Sequence, residues 1–194
     1  MKKILSIVSA SVAILAIVVS CNDNVASTFP APVSNDSLIR KGKYLVSVLG
    51  CEDCHSPKVF GPMGPMPDPE KRLAGHPAEM PVGEVDTTLM KSWVYFNHIG
   101  TAVAGPWGIS YAANLSSDST GIGNWSYQQF EMALRKGKSK GIESNRSLLP
   151  PMPWPNYINM KDEDMRAVFT YLKSTKPVKN QVPQPTPATG FRVK

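Results

Sequence analysis

A mainly α domain, with a few helices and a long loop-rich insertion, is what this 194-residue sequence predicts. Three observations predict it. Apolar residues recur at helical spacing in three separated segments, near 38–49, 127–134 and 165–172. Capping residues and glycines bound those segments. The 18 prolines cluster in 57–81, 150–155 and 177–187, so long helices are few and much of the remainder is ordered loop or tail. A hydrophobic content of 42% supplies a modest core, and the chain is too short for two large domains.

The first helix is expected after the capping pair Asp36–Ser37, over "LIRKGKYLVSVLG". Leu38, Gly42, Leu45, Val46 and Leu49 share one face. A glycine inside that stripe costs about 1 kcal/mol of helix propensity against alanine, so Gly42 points to close approach by another helix. Gly50 ends the helix and delivers the chain into "CEDCH", Cys51 to His55. Residues 56–113 begin as Pro- and Gly-rich loop; "MKSWVYFNHIG" suits a short helix or strand, and "TAVAGPWGISYAANLS" is small and apolar. Ser126 and Gln129 then form a capping-box pattern. Tyr127, Phe130 and Leu134 line the helix that follows, and Gly137 stops it. "LLPPMPWPNY" cannot be helical, because its prolines remove donors and restrict their neighbours. The last helix begins near Lys161, with Asp162, Glu163 and Asp164 in its first turn and Lys173 and Lys176 near its end, as the helix dipole favours. Met165, Val168, Phe169 and Leu172 form its buried face, and Pro177 ends it. Residues 177–194 read as an extended, Pro-rich tail.

The N-terminus carries two lysines and then an apolar run that stops directly before Cys21, the pattern of a secretory signal over residues 1–20. "VVSC" has the form of a lipoprotein signal, which makes Cys21 the lipidated residue. The alternative is an uncleaved membrane anchor, since Ile4 to Val19 is only slightly short of a spanning helix. Either way the rest of the chain is expected outside the cytoplasm, held to a bacterial membrane. Residues 21–35 are small and polar beyond the cysteine and read as a tether, whose last fourteen residues stretch on the order of 45–50 Å. Of three cysteines, Cys21 takes lipid, so Cys51 and Cys54 are the only pair left in the domain. The formal charge of +6 falls to +4 once Lys2 and Lys3 leave with the signal (6 − 2). Mild positive charge outside the cytoplasm argues against nucleic acid and suits an acidic protein partner.

"CEDCH" admits three chemistries. A redox disulfide pair wants its cysteines opening a helix in a βαβ setting, whereas these close one. A structural zinc site wants four ligands, and His76 and His98 are too scattered to make a compact second half. Covalent haem attachment wants two thiols for thioethers and a histidine directly after, in an oxidising compartment, and all of these are present. On that reading one haem c is held by Cys51 and Cys54, with His55 as proximal iron ligand. The other ring nitrogen of His55 is expected to donate to a carbonyl in loop 61–67. Met152 is the favoured distal ligand, because the prolines of "PPMPWP" stiffen its loop. Met63 and Met66 lie too near His55 in sequence, and Met132 and Met165 fall inside helices. Trp125 reads either as core or as a donor to a haem propionate. Arg135, Lys136, Lys138, Lys140 and Arg146 read either as a solvated helix end or as a basic rim for an acidic partner.

The ordered set of Gly42, "CEDCH", "GIGNW", "LPPMPWPNY" and "MRAVFTYLKSTKPV" resembles class I cytochrome c. The resemblance extends to single-haem cytochromes and cytochrome c subunits of bacterial periplasmic dehydrogenases and respiratory chains, through "YLVSVLGCEDCHSPK", "AGPWGISYAANLSSDSTGIGNWSYQQF" and "MPWPNYINMKDEDMRAVFTYLKSTKPV". These stretches cover about half of the mature chain. The resemblance implies a class I helical domain over 36–176 around one covalent haem, with the first and last helices crossed and Gly42 against Phe169 or Tyr171. Residues 68–113 would be an elaboration on it, since 97 residues separate His55 from Met152 (152 − 55). His/Met ligation fills both axial positions, which implies an electron carrier and not an enzyme. Its partners would be a dehydrogenase or quinol-oxidising complex as donor and an oxidase or other acceptor. An open sixth site would instead mean a haem enzyme or gas-binding protein, and a relay subunit of a larger dehydrogenase is the third reading.

Overall fold

A computed structural model describes residues 34–190. The expected signal, the lipidated Cys21 and nearly all of the tether lie outside the described residues. Helix α1 (Asn35–Val48) is capped by Ser34, two residues before the expected Asp36–Ser37 pair: Ser34 is extended, and its side chain accepts from the Ser37 amide at 3.3 Å. Gly50, in the left-handed region at φ 67°, turns the chain into the short helix α2 (Cys51–His55). Helix α3 (Tyr127–Lys136) carries the full capping box, in which Ser126 Oγ accepts from the Gln129 amide and Gln129 Oε1 from the Ser126 amide. That reciprocal pair contributes about 1 kcal/mol. Helix α4 (Asp162–Lys173) begins after Lys161, with its three acidic residues in the first turn.

The main core is where these helices meet. Val46 of α1, Phe130 of α3, and Met165, Val168 and Leu172 of α4 are buried together with Leu73 and Ile122. Gly42 is the contact that lets α1 and α4 approach: a Cβ there would stand 2.0 Å from the Ala167 carbonyl oxygen and 2.6 Å from Tyr171 Cβ. Of the two expected partners, Tyr171 is present. Phe169 is not, because it lies about 200° around the helix from Ala167. It meets Tyr127 and Phe130 instead, with ring centroids 5.8 and 5.3 Å away.

The expectation of a mainly α chain is met only in part: helices form this core, but a hairpin precedes the 68–113 insertion and a four-stranded sheet joins strands of the insertion to one near the C-terminus. β1 (Lys58–Gly61) and β2 (Gly64–Pro67) form an antiparallel hairpin directly after α2. β3 (Tyr95–Phe96), β4 (Ala102–Gly105), β5 (Gly108–Tyr111) and β6 (Thr186–Pro187) form an antiparallel sheet in that order. Every residue of β4 is buried, so it lacks the alternation that marks a half-exposed strand. Met90, Ala102, Ala104 and Ile109 give this sheet its own small core. Residues 177–185 form no helix or strand, and this segment is docked. Asn114 Nδ2 donates to the Val178 carbonyl at 2.8 Å, and Asn180 Nδ2 donates to the Ala74 and His76 carbonyls at 2.7 and 2.9 Å. Among the described residues no helix is long and apolar enough to cross a membrane.

Candidate functional site

Helix α2 holds Cys51, Cys54 and His55 on little more than one turn, and such a helix cannot satisfy its own ends. Its carbonyl end is closed by one side chain. Lys58 Nζ donates to the carbonyls of Glu52 and Asp53 at 3.0 Å each and to that of Ser56 at 2.5 Å, placing positive charge where the helix dipole is negative. Arg72 ties the helix sideways, with Nε and Nη2 both on Glu52 Oε1 at 3.0 and 2.5 Å. The buried Ser56 accepts from the Leu73 amide through Oγ at 2.9 Å.

His55 is half-buried, and its Nδ1 lies 2.7 Å from the Ala113 carbonyl oxygen. A carbonyl only accepts, so Nδ1 carries the proton. Burial pushes the ring below the usual imidazole range, more than the Ala113 carbonyl raises it, so the neutral form is favoured. In a neutral ring protonated at Nδ1, Nε2 keeps its lone pair. The expected acceptor in loop 61–67 is corrected by this geometry: that segment is the solvent-facing β1–β2 hairpin, with Met63 98% exposed. The acceptor comes from 58 residues downstream, next to the place where Gly75 at φ 75° comes so close that a Cβ would meet Ala112 O at 2.5 Å and Ala113 O at 2.7 Å.

Cys51 and Cys54 are both free thiols. Cys51 packs against the main core, and its burial pushes the thiol up to about 11. Burial, and then the Asp53 carboxylate, also raise Cys54. Both shifts run opposite to the depressed thiolate that a disulfide-exchange pair uses. Among the described residues no three of His, Cys, Asp and Glu group as a metal-binding set.

Met152 is half-buried in a turn whose amide donates to the Leu149 carbonyl at 3.3 Å. The loop is braced on both sides. Ser110 Oγ donates to the Pro150 carbonyl at 2.6 Å, and Trp154 packs on Gly137 so closely that a Cβ there would stand 2.4 Å from the indole. Tyr157, buried at the end of the loop, has its phenol raised by burial first and then by Cys51 and Cys54, which puts this segment near the thiols. Trp125 is half-buried against the same core that receives Cys51. The basic segment is divided in use. Arg135 is committed to Glu131, Asp162 and the Ile158 carbonyl, whereas Lys136 and Lys140 form no ion pair among the described residues.

Two thiols on one short helix, Cys51 packed on the apolar core, beside an imidazole whose Nε2 keeps its lone pair, fit a thioether-held haem. Haem supplies an iron that cycles between ferrous and ferric states. Cys51 and Cys54 would tether it, and His55 Nε2 and the Met152 thioether would be the groups offered to the iron. Lys58, Arg72, Ala113, Gly75 and Tyr157 escape sequence reasoning as supporting residues. Ala113 acts through its backbone, which leaves no signature, and the positive φ of Gly75 shows only once the chain is folded.

The helices and this site together define a cytochrome c-like arrangement. No protein-family model matches the chain. It is 30% identical over 140 residues to the gluconate 2-dehydrogenase cytochrome c subunit of Pantoea cypripedii, covering 72% of this chain and 23% of that protein. It is 35% identical over 156 residues to the cytochrome c subunit of the alcohol dehydrogenase (quinone) of Gluconacetobacter polyoxogenes, covering 79% and 25%. With the fructose dehydrogenase cytochrome subunit of Gluconobacter japonicus it shares 29% identity over 167 residues, covering 81% and 27%. The chain thus spans about a quarter of the length of these relatives. Its homologues are cytochrome c subunits of bacterial dehydrogenases, and it resembles those subunits.

Proposed function

We propose that this chain is a single-electron carrier with one covalent haem c, held outside the cytoplasm on a lipid attached to Cys21. The observation that carries the proposal is His55: a tautomer set by the Ala113 carbonyl leaves Nε2 as an iron ligand, on the same short helix as two free thiols. Cys51 and Cys54 form the thioethers, Met152 fills the sixth position, and Trp125 packs at the haem edge. With both axial positions filled by protein, no site remains for a substrate, so the chain passes electrons and performs no bond chemistry. Its electrons come from a dehydrogenase or quinol-oxidising donor and leave to an oxidase or other acceptor. Lys136 and Lys140 supply the positive charge that steers an acidic partner.

A second reading is a relay subunit inside a larger dehydrogenase. It is favoured by the relatives, whose names make them subunits of gluconate, alcohol and fructose dehydrogenases. The two readings share their chemistry and differ in whether the chain co-purifies with a catalytic subunit. A potentiometric titration of the purified protein tests both. The absorbance change is expected to follow one single-electron curve, and a protein with no reducible centre overturns the proposal.

A further inference from the structure

We propose that His76 is a positioning residue for His55: its ring locks the backbone junction that presents the Ala113 carbonyl to His55 Nδ1. This rests on the reading of His55 as an iron ligand. His55 is gripped twice by main chain, because its Nδ1 donates to the Ala113 carbonyl at 2.7 Å and its own carbonyl accepts from the Gly75 amide at 2.8 Å. The two gripping segments, 74–76 and 112–113, are joined to each other where the His76 amide donates to the Ala112 carbonyl at 2.9 Å. Gly75 lies so close to Ala112 and Ala113 that this junction has no slack.

The His76 side chain closes the junction from the other side. It is fully buried, with Nε2 2.9 Å from the Met80 carbonyl oxygen and Nδ1 2.9 Å from Thr101 Oγ1. The carbonyl accepts only, so Nε2 carries the proton and Nδ1 takes the Thr101 hydroxyl. Thr101 in turn accepts from the Ala112 amide through its carbonyl at 2.9 Å, completing a circuit through residues 76, 101 and 112. Tyr111 lies beside the ring, its centroid 4.9 Å away, and Asn180 holds the Ala74 and His76 carbonyls. An apolar side chain would fill this volume without the desolvation cost of a buried imidazole. What the imidazole adds is direction, two opposed hydrogen bonds that fix where Ala112 and Ala113 stand. The Ala113 bond sets how basic His55 Nε2 is, so loosening the circuit weakens electron donation to the iron and raises the potential.

The test compares wild type with His76→Leu and Thr101→Val in the full-length haem-loaded protein. It measures the exchange of the His55 Nδ1 proton by NMR in the ferrous state, together with the reduction potential. Both variants are expected to exchange roughly tenfold faster, the effect of a local loosening near 1.4 kcal/mol, and to show a higher potential. His76→Leu that keeps haem and melts like wild type, with exchange and potential unchanged, overturns the proposal. If His76→Leu does not fold, Thr101→Val alone decides by the same two measurements. His55→Ala that leaves the haem spectrum unchanged defeats the ligand reading instead, and that outcome is distinct from either result at His76.

Discussion

Met152→Ala is expected to turn a protein whose ferrous form ignores carbon monoxide into one that binds it. In the proposed site the thioether at the sixth position comes from a stiff, braced loop: Pro150 and Pro151 precede Met152, Pro153 follows it, Ser110 holds the Pro150 carbonyl, and Trp154 is wedged on Gly137. A thioether presented from such a loop loses little freedom on coordinating, so it competes well with exogenous ligands. Alanine has no donor to replace it. The same substitution is expected to lower the potential, since a thioether favours ferrous iron. It is expected to cost only about 1–2 kcal/mol of stability, less than truncation of a fully buried methionine, because Met152 is half-buried. Carbon monoxide titration followed by absorbance checks this. Binding by the wild type, or an unchanged response in Met152→Ala, removes Met152 from the site.

Gly42→Ala is expected to be the most destabilising single-carbon change in the helical core. A methyl there would stand 2.0 Å from the Ala167 carbonyl oxygen and 2.6 Å from its carbon, and these are backbone atoms that cannot swing aside. Either α1 or α4 must move, and the neighbouring contacts of Val46, Met165 and Leu172 move with it. Overpacking of a tight core typically costs about 1–3 kcal/mol. Because backbone is the obstacle, the loss here is expected at about 3 kcal/mol or more even after the gain of about 1 kcal/mol in helix propensity from replacing glycine. Urea denaturation checks it, with the exposed Lys43→Ala as a control expected to change stability by less than about 0.5 kcal/mol. Equal midpoints for the two variants would mean that the helices do not meet at Gly42.

The parts of this molecule that sequence could reveal are those written in side chains at regular spacing. The three helices were legible from their stripes and their caps, and Gly42 announced a helix contact because nothing else explains a glycine on a buried face. Most of the sheet structure was not, β3 lying in a segment that suited either a helix or a strand. β4 is four small buried residues with no alternation, and β6 is a Thr-Pro pair that becomes a strand only because β5 stands beside it. The site divides along the same line. Cys51, Cys54 and His55 form a local motif, whereas the acceptor for His55 is a backbone oxygen 58 residues away, and only the fold brings Ala113 there. His76 was legible as a histidine but not as a support, because its importance comes from Thr101 and Met80 and not from its neighbours in sequence.

The central claim is that Cys51 and Cys54 hold one haem covalently. Intact mass of the purified, fully denatured protein tests it most directly, since denaturation releases a haem held only by coordination or packing and leaves one held by thioethers. The expected mass of the wild type is one haem above that of the variant carrying Cys51→Ser and Cys54→Ser together, once the two sulfur-for-oxygen replacements are allowed for; any lipid on Cys21 is common to both and cancels. Wild-type protein that shows no such haem increment over the variant after expression with cytochrome c maturation would contradict it.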